Sequence, residues 1–265
     1  MSKIFPILKW AGGKRQLIPE LINFIPNRYN NYIEPFVGGG ALYFHLARKN
    51  SIINDSNSEI INLYKEISKN PEMIIKGLKN YKNDEDFYYN IRKSIPNSKL
   101  SKAIRTIYLN RTCFNGLYRV NKKGEFNVPY GKYKNVNFVD ENNLILASKL
   151  LKKTKILNKD YKYILRNYCQ RSDLVFLDPP YIPISKYSDF KRYTKEQFHL
   201  DDQVELSKYY KKLDKKGCYL ILTNSNHEII KKLYDDFKIK IIKTKRNINS
   251  KGSKRTGEDI VITNF

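Results

Sequence analysis

The 265-residue chain has no apolar run approaching the ~20 residues that a membrane-spanning helix needs. Its start is polar and meets Pro6 early, which predicts no secretory leader and a soluble protein kept in the cytoplasm. Cysteine is scarce: Cys113, Cys169 and Cys218 are an odd number at spacings unlike a metal knuckle, which excludes a disulfide scaffold and fits a reducing compartment. Cys218 opens an apolar run, Cys218-Tyr-Leu-Ile-Leu222, so a buried, inert thiol is expected there. The three histidines, at 45, 199 and 227, form no ligand cluster, and no metal is expected. Low-complexity tracts and internal repeats are lacking. Acidic residues are also short, 26 Asp+Glu against 50 Lys+Arg.

That imbalance leaves a net charge of 50 − 26 = +24, a field that favours a polyanion, of which nucleic acid is the commonest. A bias of the whole composition toward Lys, Asn and Ile would inflate the same count without any partner. Aromatic residues make up 13% of the chain, with 21 Tyr. Exposed rings can stack on bases, although many of these must be core or rim residues.

Three short apolar runs end in turn-forming residues: Tyr32-Ile-Glu-Pro-Phe36, Asp173-Leu-Val-Phe-Leu177 and Cys218 to Thr223. Each reads as a strand buried on both faces, as in parallel sheets. Ser51 to Asn54 and Thr154 to Leu157 are smaller candidates, and Ile239 to Ile242 with Asp259 to Thr263 look like a closing strand pair. Helical patterns at Ala41 to Asn50, Asn143 to Lys152 and Asp201 to Lys212 alternate with them, predicting a doubly wound, Rossmann-like α/β sheet. From Ser58 to Asp140 the rhythm breaks. Helical, polar stretches (Glu59 to Lys69, Lys102 to Leu109) give way to a Gly-, Asn-, Tyr- and Arg-rich segment, Asn110 to Tyr133. The expected division is a discontinuous α/β domain, 1–57 with 141–265, carrying a mainly helical insertion at 58–140.

Asp178-Pro179-Pro180-Tyr181 follows one of these strands, at the carboxyl end where open α/β sheets bind ligands. Two prolines fix φ and remove two amide donors, leaving fixed carbonyl acceptors beside an acceptor carboxylate and an aromatic ring. The set suits a flat amine: Asp178 and the Pro179 carbonyl accept its two N–H groups while Tyr181 stacks on its ring. The nitrogen lone pair is then aimed at an electrophile. An isolated Asp-Pro-Pro would be only a rigid turn. Glu34-Pro35-Phe36-Val37-Gly38-Gly39-Gly40 also joins a strand to a helix, with glycines that permit positive φ and close approach to a ligand. It matches neither G-x-G-x-x-G nor a phosphate loop. With Asp55, at the end of Ile52-Ile-Asn-Asp55 and suited to ribose hydroxyls, it points to an adenosine-containing ligand. At the N-terminus, Lys9-Trp10-Ala11-Gly12-Gly13-Lys14 sets the only Trp beside two glycines. Lys14 is placed to meet a ligand carboxylate, and Trp10 to wall an adenosine or methionine moiety.

In this order the segments resemble the adenine-N6 DNA methyltransferases of the Dam type (D12 class, alpha group), nearly end to end. The likeness runs through KWAGGK, EPFVGGG, INDSN, the insertion, FLDPPY and Thr223-Asn-Ser225 to Arg246-Asn-Ile-Asn-Ser-Lys-Gly-Ser253. It implies S-adenosylmethionine as methyl donor. The carried-over cofactor contacts are Trp10, Ala11, Gly12, Lys14, Glu34, Pro35, Phe36, Gly38, Gly40, Asp55 and Asp178. Asp160 is a fainter match, on the adenine side of the cofactor. Asp178, Pro179, Pro180 and Tyr181 would hold the target adenine, flipped out of the duplex. Gly39 stands where relatives often carry another residue, with no consequence expected.

The insertion resembles members that methylate adenine in GATC, through Leu109 to Arg119 and Gly124 to Tyr133. The resemblance implies base reading by Arg119, contacts to thymine methyls from Leu117 and Pro129, and a contact to the outer guanine from Lys9. Phe114 and Asn115 would wedge into the duplex, with Gly116, Asn121 and Tyr133 also at the DNA. Arg92, Lys93, Lys122, Lys132 and Lys134 are candidates for phosphates. Double-stranded DNA is the expected partner and a monomer suffices, with or without a companion restriction endonuclease. Cytosine N4 or an RNA adenine are alternative targets. A nucleotide-dependent oxidoreductase would leave Asp178 to Tyr181 unexplained, as would a catalytically silent DNA-binding module.

Overall fold

The computed structural model describes residues 3–10, 12–121, 123–181, 198–245 and 256–265. In chain order α1 (Ile18–Leu21), β1 (Tyr32–Glu34), α2 (Ala41–Leu46) and β2 (Ile52–Asn54) are followed by α3 (Ser58–Lys69), α4 (Pro71–Lys79), α5 (Glu85–Lys93), α6 (Lys99–Thr112) and α7 (Glu141–Leu151). Then come β3 (Lys155–Leu157), α8 (Tyr161–Asn167), β4 (Leu174–Leu177), α9 (Leu200–Lys215), β5 (Tyr219–Ser225), α10 (Glu228–Leu233), β6 (Lys238–Lys245) and β7 (Thr256–Thr263). Several helices start on side-chain caps: Asn57, Asp84, Ser98, Asp140 and Asp160 each accept a first-turn N–H. α4 starts on Pro71, whose missing N–H costs nothing at that position.

The strands form one sheet in the order β3-β2-β1-β4-β5-β7-β6. The first five are parallel, and β7 runs antiparallel to both β5 and β6. The expected α/β class and closing strand pair are present, the pair longer than the apolar runs alone suggested. The order reverses beside β1, which lies between β2 and β4, so a crevice opens at the carboxyl ends of β1 and β4. Both strands are wholly buried because apolar side chains cover both faces. On β4, Leu174 and Phe176 join one core with Tyr32, Ile53, Ile221 and Val261. Val175 and Leu177 join another with Ile33, Leu220, Leu222, Ile260 and Ile262.

The first core continues without a break into the insertion through Tyr64, Tyr88, Ile107 and Tyr108. Tyr32, Tyr43, Tyr64, Tyr88, Tyr108, Tyr210 and Tyr234 are all fully buried, so much of the tyrosine content is packing rather than a base-stacking surface. α2 stops four residues before the expected end at Asn50, because Ala47 turns left-handed at φ 46°. α1, α4, α5, α8 and α10 are additional to the helices named from the sequence.

Candidate active site and nucleic-acid interface

Asp178 leaves β4 at its carboxyl end and takes a buried cation. The Lys14 ammonium lies 2.7 Å from its Oδ1 and 2.9 Å from its Oδ2, and also donates to the Gly12 carbonyl at 2.7 Å. The Thr223 hydroxyl on β5 donates to Asp178 Oδ1 at 2.7 Å. Lys14 stands 4.6 Å from the centre of the Tyr181 ring, whose hydroxyl donates to Asp259 on β7 at 3.2 Å. Burial pushes the Tyr181 phenol well above its ordinary range, and the Asp178 and Asp259 charges add to this. Lys14, expected to meet a ligand carboxylate, is thus held by the acceptor carboxylate of the chain itself.

The turn after β1 is folded around Asp55 and Trp10. Asp55 Oδ2 accepts the Gly38 N–H and its Oδ1 the Asn57 N–H, each at 2.9 Å. Tyr64 donates its hydroxyl to the Gly38 carbonyl at 2.7 Å. Gly38 and Gly40 have φ of 45° and 65°, and a Cβ on Gly38 would fall 2.7 Å from the indole Nε1 of Trp10. Gly39 is not neutral in this setting: a Cβ there would lie 2.7 Å from the Trp10 Cβ, so the middle glycine admits the Trp10 side chain. The Trp10 ring packs 5.2 Å from that of Tyr118.

Glu34 is buried at the end of β1, its Oε2 accepting the Tyr32 hydroxyl at 2.7 Å. Burial pushes its carboxyl up to about 8; the Tyr32 hydrogen bond opposes this, and the Asp178 and Asp55 charges reinforce it. Asp55 is also raised by burial, against the backbone N–H groups of Asn57, Gly38 and Ser56. Trp10, Gly12, Lys14, Glu34, Phe36, Gly38, Gly40, Asp55 and Asp178 to Tyr181 all line one cavity. Pro35 lies behind it, its carbonyl accepting from Asn54 at 3.0 Å. Asp160 does not reach the cavity lining; it is exposed and caps α8. Ala11 and the closing segment 246–253 lie outside the described residues.

The candidate DNA-contacting residues gather around Asn110, buried on α6. Its Oδ1 accepts the Lys9 N–H at 2.8 Å, and its Nδ2 donates to the carbonyls of Lys9 (2.8 Å) and Gly116 (3.1 Å). This clasp sets Lys9 against the single turn Phe114–Gly116, where a Cβ on Gly116 would meet the Lys9 side chain at 2.5 Å. Asn115 is left-handed at φ 55° and donates its N–H to the Tyr133 hydroxyl at 2.8 Å, while the Lys9 ammonium stands 5.1 Å from the Tyr133 ring. Phe114 is 50% exposed, with its N–H held by the Pro129 carbonyl at 2.9 Å. Leu117 packs partly against the core. Arg119 spends part of its donor fork on Asn127, at 2.8 Å to the side chain and 3.3 Å to the carbonyl. Asn121 is occupied in a turn, accepting from Lys123 and Glu125 and donating to the Glu125 carboxylate. Among the phosphate candidates, Arg92 is tied to the Val128 carbonyl and stacked on Tyr89, and Lys132 pairs with Glu85 at 3.4 Å. Lys93 and Lys134 are exposed, and Lys122 lies outside the described residues.

The sequence profile of the D12 class N6 adenine-specific DNA methyltransferases matches residues 10–248, from Trp10 through the cavity and the insertion to β6 and beyond. The chain belongs to this family. A type II methyltransferase of Lactococcus lactis subsp. cremoris is 42% identical across 98% of this chain and 95% of its own. One from Methanocaldococcus jannaschii is 43% identical across 96% of both. A DNA adenine methylase of Vibrio cholerae is 31% identical across all of this chain and 97% of its own. The protein is therefore an adenine-specific DNA methyltransferase, and its family implies S-adenosylmethionine as donor.

The D12-class cavity fits a donor of that chemistry. Asp178 shares its charge with Lys14 and Glu34 holds a proton up to about pH 8, so the acidic side chains of the cavity, Asp55 foremost, complement a ligand carrying sulfonium and ammonium charges. Polar supports of this D12-class site escaped the sequence reading, notably Tyr64 beneath Gly38 and Gln203 beneath Pro180. Gln203 carries no local signal, since its neighbours Asp201, Asp202 and Glu205 are polar too. The polar run Thr223-Asn-Ser225, closing an otherwise apolar strand, was the one available hint of a buried network.

Proposed function

We propose that this enzyme methylates N6 of adenine within GATC in duplex DNA, after flipping the target nucleotide into the cavity between β1 and β4. The observation that carries the reading is the convergence of two strand ends on one space. The glycine turn with Asp55, suited to an adenosine-containing donor, and Asp178 to Tyr181, suited to a flat amine, line the same cavity. When bound, S-adenosylmethionine supplies an electrophilic methyl group on a sulfonium. The turn Phe36 to Gly40, Asp55, Trp10 and Lys14 would hold it. Asp178 and the Pro179 carbonyl accept the two amine N–H groups and orient the nitrogen lone pair. Tyr181 faces the base. As the N–C bond forms, the C–S electron pair leaves with sulfur and the surplus amine proton passes to solvent. Positioning supplies most of the rate. Extruding the nucleotide costs a few kcal/mol, offset by stacking and by these hydrogen bonds.

Residues 58–140 act as the recognition unit in this reading, and 1–57 with 141–265 as the catalytic one. Arg119 reads a base edge with the donors Asn127 leaves it, Lys9 reaches the outer guanine, and Phe114 with Asn115 fills the space the adenine vacates. The half-exposed ring of Phe114, beside the exposed Lys9, supports that wedge. A monomer modifies the two strands of the site in separate visits. Full-length similarity to proteins named type II methyltransferases supports pairing with a restriction endonuclease. The test is mass analysis of nucleosides from duplexes carrying GATC or its single-base variants, with an RNA duplex in parallel. N6-methyladenine confined to GATC is expected. N4-methylcytosine, equal modification of the variants, or preference for RNA would overturn the reading. Asp178→Asn should abolish transfer while donor binding persists.

A further inference from the structure

The Asp178 to Tyr181 segment cannot anchor itself. Pro179 and Pro180 remove two successive N–H donors, so the backbone there offers carbonyls alone. The proposed function reserves the Pro179 carbonyl for the target amine. Donors that fix the segment must therefore come from elsewhere, and consecutive residues of β5 organise them. Neighbouring side chains on a strand point to opposite faces. Thr223, on the cavity side, donates to Asp178. Asn224, on the other side, donates through Nδ2 to Gln203 Oε1 of α9 at 3.0 Å, and Gln203 Nε2 donates to the Pro180 carbonyl at 2.9 Å. Gln203, Thr223 and Asn224 are completely buried.

The direction of this relay is dictated by the backbone. Asn224 Oδ1 accepts the Ser225 N–H at 2.9 Å, and a backbone amide only donates. Asn224 must then turn its NH2 toward Gln203, and Gln203 must turn its own toward Pro180. Reversing either amide would bring oxygen against oxygen or nitrogen against nitrogen at the wholly buried Asn224–Gln203 contact, where unmade hydrogen bonds are costly.

We propose that Gln203 and Asn224 are positioning residues for methyl transfer, fixing the direction of the Pro179 carbonyl by holding the carbonyl that follows it. The inference rests on the proposed role of Asp178 and Pro179 as acceptors of the amine. One end of the segment is pinned by β4 and Thr223, the other by Gln203, and both proline φ angles are locked between them. The Pro179 carbonyl has little freedom left. Neither Gln203 nor Asn224 lines the cavity.

Single-turnover transfer on a hemimethylated duplex tests this, with donor and duplex affinities measured alongside. Gln203→Met keeps the length and removes both hydrogen bonds. Asn224→Asp keeps the shape and reverses the relay, because a carboxylate cannot donate to Gln203. Both should lower the transfer rate by about 10²-fold, the scale of a misplaced reactive group, with both affinities within about twofold of wild type. Gln203→Glu supplies a readout that a merely structural role would not move. Its protonated carboxyl can donate to the Pro180 carbonyl and its carboxylate cannot, so its rate relative to wild type should fall as pH rises. A pH-independent ratio, or wild-type transfer by Gln203→Met, overturns the proposal. Asp178→Asn in the same assay separates the two ideas. If it is inactive while Gln203→Met is fully active, only the positioning role fails. If Asp178→Asn is itself active, the amine-acceptor reading fails.

Discussion

Replacing Glu34 by Gln should make the stability of this methyltransferase less sensitive to pH, and the size of the change follows from the site. In the folded protein burial pushes the Glu34 carboxyl up to about 8, whereas an exposed glutamate titrates near 4.5. Between these values the folded chain keeps a proton that the unfolded chain releases. The folded state binds more protons, so wild-type stability falls as pH rises through the window. The window spans 8 − 4.5 = 3.5 pH units, and at ~1.36 kcal/mol per unit the loss is on the order of 5 kcal/mol. Glu34→Gln has no such proton to lose, and its amide oxygen still accepts the Tyr32 hydroxyl.

Urea unfolding of both proteins between about pH 5 and about pH 8, on a scale where folding free energies are ~5–15 kcal/mol, resolves a difference of that size. The variant should gain on the wild type steadily as pH rises. Parallel stability curves would refute the argument, because they would mean that Glu34 titrates alike in the folded and unfolded chains. Ligand binding gives a second view of the same proton. A cationic donor beside Glu34 favours its charged form, so calorimetry in buffers of different ionisation heat should record proton release near neutral pH. The neutral product, lacking the sulfonium, should release less.

Lys14→Met strips the Asp178 carboxylate of its buried counter-ion while Thr223 remains. A cost of about 1–3 kcal/mol is expected for the unpaired group, read as a lower melting temperature that a cationic donor partly restores. Gly39→Ala places a methyl 2.7 Å from the Trp10 Cβ; overpacking of ~1–3 kcal/mol should appear as lost stability and weaker donor binding, and unchanged values would mean that Trp10 moves freely. Arg119→Ala should relax discrimination at one base pair by about 1–3 kcal/mol while turnover on the preferred site changes less; full discrimination by the variant would remove Arg119 from base readout. Lys134→Ala, at an exposed phosphate candidate, should weaken duplex binding and reduce its salt dependence by about one ion, measured as the slope of log affinity against log salt.

How far the sequence could be read follows from how local each cause is. The strands beside the cavity declare themselves because burial on both faces demands uninterrupted apolar runs, as in Leu174 to Leu177. The turns after them do so because glycine and proline act on their own backbone. Helices such as α4 and α5 are amphipathic but only nine residues long, too short for their period to stand out in the polar stretch around them, and they pack against α6. Partner choice escaped most often. Lys14 sits 164 residues from the carboxylate that holds it, and Gln203 lies 23 residues from the carbonyl it supports. In Asn-Lys-Asp-Tyr the same local pattern that suggests a ligand contact is also a helix cap, and Asp160 caps α8. Arg119 shows the opposite pressure. A free guanidinium fork would read bases well but would wander, and its bonds to Asn127 trade donors for a fixed direction.

Asp178 joins these observations. Its carboxylate belongs at once to Lys14, to Thr223 and, in the proposed reaction, to the incoming amine. A carboxylate has about four lone-pair sites, so the three claims are compatible only if the existing donors are held to one side. Thr223 is fixed by β5, and Lys14 is fixed by the Gly12 carbonyl and the Tyr181 ring. In the proposed reaction the elements that look redundant around Asp178, which itself lines the cavity, would therefore leave one of its lone pairs for the adenine amine.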